Sequence, residues 1–287
     1  MTILKSIQAT FILYLFVFSA CNGQTNQQNV ERIVFTGTIN GNTNIYSINP
    51  DGSGLKQITF HYSVDMLPSL SPNGQRLVFR SFRDGNPEIY ITDINGKFTK
   101  RLTNYEGDDC NPKWSPNGAF IAFESFRDGN LELYITDTSG ANITRLTNEP
   151  QNDLNASWSP DSKQIAFVSS RSGHYQLYVL TIATKEVKQI TQHQSWDKFP
   201  SWSPDGKHIA FSSGRNNSAG IFIISIEEGE VRELVSNGSQ PAWSPNGKQI
   251  VFEKIINGQS TLYKINTDGS GLTAVTPPSI EAHMADW

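Results

Sequence analysis

Trp114-Ser115-Pro116-Asn117-Gly118 decides the fold of this chain, because the same five-residue string returns at a fixed distance along it. It recurs as Trp202-Ser203-Pro204-Asp205-Gly206 and Trp243-Ser244-Pro245-Asn246-Gly247, with near copies at Trp158-Ser159-Pro160-Asp161-Ser162 and Leu70-Ser71-Pro72-Asn73-Gly74. The starts at 70, 114, 158, 202 and 243, followed by Trp287, give intervals of 44, 44, 44, 41 and 44 residues. Self-similarity at such a period marks a repeat architecture. Within the string, Pro presets the second position of a type I turn and Gly permits a left-handed exit.

Working outward from the string, each unit holds four short apolar segments. In the third unit they fall at 111–115, 120–125, 131–137 and 143–147, rich in Ile, Phe, Tyr and Val and separated by Gly, Pro, Asn and Asp. That is strand-and-turn punctuation, with no helical period to compete. Four antiparallel strands per unit of this length make a propeller blade. The first unit begins at 32–37, which corresponds to a second strand. The chain stops at Trp287, the end of a first strand. Residues 283–287 are therefore expected to supply the inner strand of the first blade, closing six blades without free edges. The fold class is all-β, and the recurring Trp is expected to pack between neighbouring blades.

Composition agrees. The 287 residues carry 23 Lys and Arg against 27 Asp and Glu, a formal net charge of −4, which gives no basic surface for nucleic acid. Two cysteines, Cys21 and Cys110, cannot staple a disulfide scaffold. Cys110 falls in a first strand, where a small buried hydrophobe is expected. Residues 1–20 read as a signal peptide: Lys5 is the lone charge, an apolar run covers 11–18, and Phe18-Ser19-Ala20 precedes Cys21. Residues 21–29 read as a polar tether and 30–287 as the propeller domain.

Two resemblances extend this reading. Phe18-Ser19-Ala20-Cys21 resembles the bacterial lipobox, which implies lipidation of Cys21 and a membrane anchor; an ordinary signal peptide is the alternative. Trp-Ser-Pro-Asn-Gly followed by Ile121-Ala122-Phe123, Ser125-Phe126-Arg127-Asp128-Gly129, Leu133-Tyr134 and Arg145-Leu146-Thr147 resembles the TolB-type, WD40-like propeller repeat over residues 30–287. That resemblance implies a non-enzymatic, protein-binding propeller of the bacterial periplasm. TolB-type proteins also carry an α/β domain before the propeller, for which this sequence leaves no room. A lipoprotein built of the propeller alone is expected, a monomer on the periplasmic face of the outer membrane. Its expected partner is an envelope protein, peptide or glycan. A partner role like that in the Tol-Pal envelope system is one alternative, and a hydrolase or lyase acting on envelope glycans or peptides is another.

Candidate site residues follow from aligning the units on the Trp position. Asp65, Asp109, Asp153 and Asp197 lie five residues before it; Arg83, Arg127, Arg171 and Arg215 lie thirteen after it. The two remaining units lack both, with Gly238 and Ile256 in one and Ala282 and Ile39 in the other. Joint presence and absence marks the pairs as partners, expected as exposed, loop-ordering ion pairs contributing about 0–1 kcal/mol each. Four carboxylates around a channel could also form a cation site, but the matched arginines argue against a metal. Ile39 and Ile256 interrupt the pattern and are candidate docking residues. So are the off-pattern aromatics and histidines His61, Tyr62, Tyr105, His174, Tyr175, His193 and Trp196. The sequence contains no nucleophile elbow, phosphate loop or His-Glu-x-x-His motif, so no catalytic residue and no cofactor is assigned.

Overall fold

Each repeat folds into one four-stranded antiparallel sheet, and the six sheets are the six blades of a β-propeller. The computed structural model describes residues 31–287. The signal peptide at 1–20, Cys21 and the rest of the tether at 21–29 lie outside the described residues. The innermost strands are Glu281–Asp286 in blade 1, Asp65–Leu70 in blade 2 and Asp109–Trp114 in blade 3. Blades 4, 5 and 6 contribute Asp153–Trp158, Asp197–Trp202 and Ser239–Trp243. Blade 1 is completed from the other end of the chain: Glu281–Asp286 pairs with Ile33–Ile39, with His283 opposite Thr36 and Ala282 opposite Gly37. Tail therefore meets head within one sheet.

The turn chemistry read from the sequence operates as written. Gly118 has φ 74° and donates its N–H to Ser115 O at 2.9 Å, while Ser115 Oγ accepts from Phe120 N at 2.9 Å. In five blades the fourth strand is shorter than the apolar segments suggested, with Thr144–Arg145 alone in blade 3, whereas blade 5 runs through Val231–Ser236. The reason is a side-chain substitution in the ladder. Leu133 N donates to the Thr147 hydroxyl rather than to a carbonyl, at 3.0 Å, and Thr59, Thr103, Thr191 and Thr276 serve four other blades in the same way.

Six apolar clusters fill the seams, each shared by two adjacent blades. Trp114, Trp158, Trp202, Trp243 and Trp287, with Leu70 in the remaining seam, are the inner members of these clusters. The recurring tryptophan thus packs between blades. Behind it, Phe35, Phe79, Phe123, Phe167, Phe211 and Phe252 are fully buried. Each pairs across strands with Tyr46, Tyr90, Tyr134, Tyr178, Phe222 or Tyr263 at ring-centroid distances of 5.7–6.5 Å, a geometry that adds to area burial.

The innermost strands share a feature absent from the sequence reading. One residue in each adopts a left-handed backbone: Leu67, Asn111, Asn155, Phe199, Gln240 and Met284, with φ between 51° and 56°. The strand register shifts at the same place in every blade. These are β-bulges, which bend the strand and turn its polar groups toward the axis.

Candidate binding face and axial channel

The hairpins joining second and third strands, and the connections from each fourth strand to the next blade, emerge on one face. The aspartate–arginine pairs stand beneath these loops. Arg83, Arg127, Arg171 and Arg215 donate through Nη2 to Asp65, Asp109, Asp153 and Asp197 at 3.0, 2.9, 2.7 and 2.8 Å. Each Nε also donates to the serine ending the second strand, Ser81, Ser125, Ser169 or Ser213. Each guanidinium lies over its blade's aromatic pair at 4.7–5.5 Å. The carboxylates are not exposed, as the spacing alone suggested; all four are fully buried, while the arginines keep 14–19% of their surface. The inner strand starts beneath the loops, so its first side chain is roofed by its own arginine. Burial pushes the Asp109 and Asp153 carboxyls up, against the pull of Ser125 with Arg127 and of Ser169 with Arg171.

In the two blades lacking the pair, apolar atoms fill the same space. A Cβ at Gly37 would lie 2.5 Å from Ile280 Cδ1 and 2.6 Å from Tyr46 Cδ2. Fully buried Ile280 therefore covers the aromatic that arginine covers elsewhere. Ile39 packs half-buried against the same cluster, whereas Ile256 and its neighbour Ile255 are exposed.

The loops above are held by amide and carboxylate clamps. Glu88 accepts from Tyr105 N at 2.7 Å and Asn86 Nδ2 donates to Tyr105 O and Gly107 O. In blade 4 the single residue Gln176 does both, accepting from His193 N and donating to His193 O and Ser195 O. Tyr105 stacks on Arg127 at 5.2 Å and its hydroxyl donates to Arg127 O. His61 Nδ1 accepts from Ser63 N, and the imidazole stacks on exposed Tyr62 at 4.3 Å. His193 Nδ1 likewise accepts from Ser195 N. Trp196 lies half-buried against Gly214, where a Cβ would meet its indole Nε1 at 2.6 Å. It borders a shallow pocket with Ser170, His174, Tyr175 and Ser195, and Lys198 Nζ sits 4.1 Å over the Tyr175 ring. His283 lies apart from these loop histidines, in the closing strand with Nδ1 3.4 Å from Glu253. The structure thus distributes the predicted aromatics around several loops of one face and does not gather the histidines. Among the described residues, no three His, Cys, Asp or Glu groups converge as a metal site.

Inside the ring, the bulges line an axial cavity of about 230 Å³ with Leu67, Asn111, Asn155, Phe199, Gln240 and Met284. Arg80, Lys113, Cys110 and Glu124 share its wall. Glu124 accepts from Asn111 Nδ2 and Asn155 N, each at 2.6 Å, with Cys110 Sγ 3.7 Å away. Burial pushes both the Glu124 carboxyl and the Cys110 thiol up. Sequence reasoning missed this wall, because the residues ten past the repeat's Trp position do not keep one residue type from unit to unit.

A family model described as the TolB beta propeller domain matches residues 26–108 and 66–287. Among solved structures, TolB from Acinetobacter baumannii superposes with a TM-score of 0.82 at 25% identity. That alignment covers 90% of this chain and 66% of the TolB chain, so the present chain spans just under two thirds of that relative. A candidate TolB from Agrobacterium tumefaciens gives 0.71 at 19% identity, covering 85% and 88%. An oligogalacturonate lyase from Vibrio parahaemolyticus gives 0.57 at 13%, covering 77% and 71%. The last two likenesses are of fold alone. No curated protein sequence matches the chain.

Proposed function

We propose that this chain, which belongs to the TolB beta propeller domain family, is an envelope binding module that docks a protein partner on its loop face. One observation carries the reading. Among the described residues the three most exposed large apolar side chains, Tyr62 at 86%, Phe60 at 73% and Ile255 at 73%, all stand on that face. On the opposite face the highest value is Phe98 at 54%. Exposed apolar and aromatic groups are what a partner surface uses for anchors. The clamps from Glu88, Asn86 and Gln176 order the loops beforehand, so docking loses less entropy. His61, Tyr105, His174, Tyr175, His193, Trp196 and Ile256 belong to the same surface, and Ile39 supports it from beneath.

The proposal includes a lipid anchor at Cys21 behind a signal peptide, and so a place on the bacterial envelope. It rests on the sequence around residue 21; Cys21→Ser should move the protein from the membrane to the soluble fraction. The docking face is tested by site-specific photo-crosslinking in intact cells. A photoreactive residue at Tyr62 should yield a discrete adduct that Phe60→Ala weakens, and one at Leu272 on the opposite face should not. Equal adducts from both faces, or an adduct from Leu272 alone, refute the assignment. A Tol-system role would show as an adduct containing a Tol or peptidoglycan-associated protein.

A further inference from the structure

The second-strand residue ten past the repeat's Trp position faces the next blade's bulge. In four of the six seams it supplies an oxygen to the bulge N–H. Thr36 Oγ1 accepts from Leu67 N at 2.9 Å, Glu124 Oε1 from Asn155 N at 2.6 Å and Ser212 Oγ from Gln240 N at 2.8 Å. Glu253 Oε1 accepts from Met284 N across the closure. Val168 fills the seam between blades 4 and 5 with an apolar side chain. The seam between blades 2 and 3 is chemically inverted, because the equivalent residue is Arg80.

The Arg80 side chain makes no hydrogen bond or ion pair among the described residues, and its buried Nε has no acceptor. Its guanidinium stacks on Phe82 at 4.6 Å and lines the axial cavity. Among the described residues no side chain accepts from the Asn111 N–H, and the Asn111 side-chain amide is committed to Glu124. Cationic and neutral donors therefore meet at the position where two other seams place a carboxylate.

We propose that the axial cavity is a site for a small carboxylate anion, its oxygens bridging the Arg80 guanidinium and the Asn111 backbone N–H. The planar guanidinium fork matches a carboxylate in two-point contact. The fold itself uses carboxylates of Glu124 and Glu253 against equivalent bulges, so the ligand reproduces an interaction already built into the ring. Lys113 also lines the wall, its charge offset by Asp286 at 3.5 Å. Glu124 is the opposing group: burial pushes its carboxyl up, while the hydrogen bonds from Asn111, Asn155 and Cys110 and the charge of Arg80 pull it down. A volume of about 230 Å³ admits a small acid or the end of a peptide, not a folded segment. This site is separate from the loop face, and the crosslinking result above neither supports nor weakens it.

The test is titration of the purified protein by calorimetry and by amide NMR, using acetate, succinate, and an acetylated tripeptide with a free or an amidated C-terminus. Uptake of a carboxylate should shift the Asn111 amide resonance, and the amidated peptide should be inert. Binding of acetate and succinate alone identifies a free acid as the ligand; tighter binding of the free-ended peptide identifies a chain terminus. Arg80→Thr installs the hydroxyl that Thr36 uses, so it should fold normally while losing the shift and at least about tenfold in affinity. Arg80→Lys should bind more weakly than the native protein, and Lys188→Gln on an outer strand should change nothing. Absence of carboxylate uptake by the native protein, or equal uptake by Arg80→Thr or Arg80→Lys, overturns the proposal.

Discussion

Replacing Arg127 with Met tests whether the buried aspartates depend on their arginines. Methionine keeps an unbranched stem over Phe123 and Tyr134 while removing the charge and three hydrogen bonds: two to Asp109 and one from Nε to Ser125. Asp109 would then stand as a fully buried carboxylate without its cation. An exposed ion pair would lose about 0–1 kcal/mol. Breaking a buried one costs about 3–5 kcal/mol, because the remaining charge is uncompensated. At about 2–4 °C per kcal/mol for a chain of this size, the melting temperature should fall by roughly 6–20 °C. Chemical and thermal denaturation at neutral pH measure the loss. Adding Asp109→Asn should recover part of it by removing the orphaned charge. A loss below about 1 kcal/mol, or a double variant no more stable than Arg127→Met, would refute the reasoning.

His283 couples blade closure to pH. Its hydrogen bond to Glu253, with Glu281 also adjacent, raises its pKa above the ordinary 6.5. A raised folded-state pKa stabilises fully below the unfolded value and is lost as pH rises through the folded value. Stability should therefore decline upward from pH 6.5, and urea titrations at stepped pH should show His283→Gln flattening that decline. Trp158→Ala should cost about 3–5 kcal/mol by opening the seam between blades 3 and 4, read as a shifted unfolding midpoint. An unchanged midpoint would remove the tryptophans from the account of blade packing.

The architecture was legible because each of its signals is local. A Ser-Pro-Asn-Gly turn and alternating apolar residues express backbone preferences of adjacent positions, and a constant interval exposes their repetition. Closure was legible too, since the first repeat opens on a second strand and the last one supplies a first. The aspartate–arginine partnership could be read from shared presence and absence. Its burial could not, because Arg127 reaches Asp109 from the hairpin after the second strand, laid over Phe123 of that strand and Tyr134 of the third.

By itself, the sequence determined six blades, their turns, their interblade tryptophans and the tail-to-head stitch, all consequences of short-range stereochemistry repeated. Tertiary structure alone decided what stands at the axis. Thr36, Arg80, Glu124, Val168, Ser212 and Glu253 range from hydroxyl to carboxylate, guanidinium and apolar side chains. Their common position becomes visible only when a bulged N–H about thirty residues away, on another sheet, is brought within hydrogen-bond reach. Side-chain chemistry acquires its role there from the partner across the seam, and no local pattern encodes that partner.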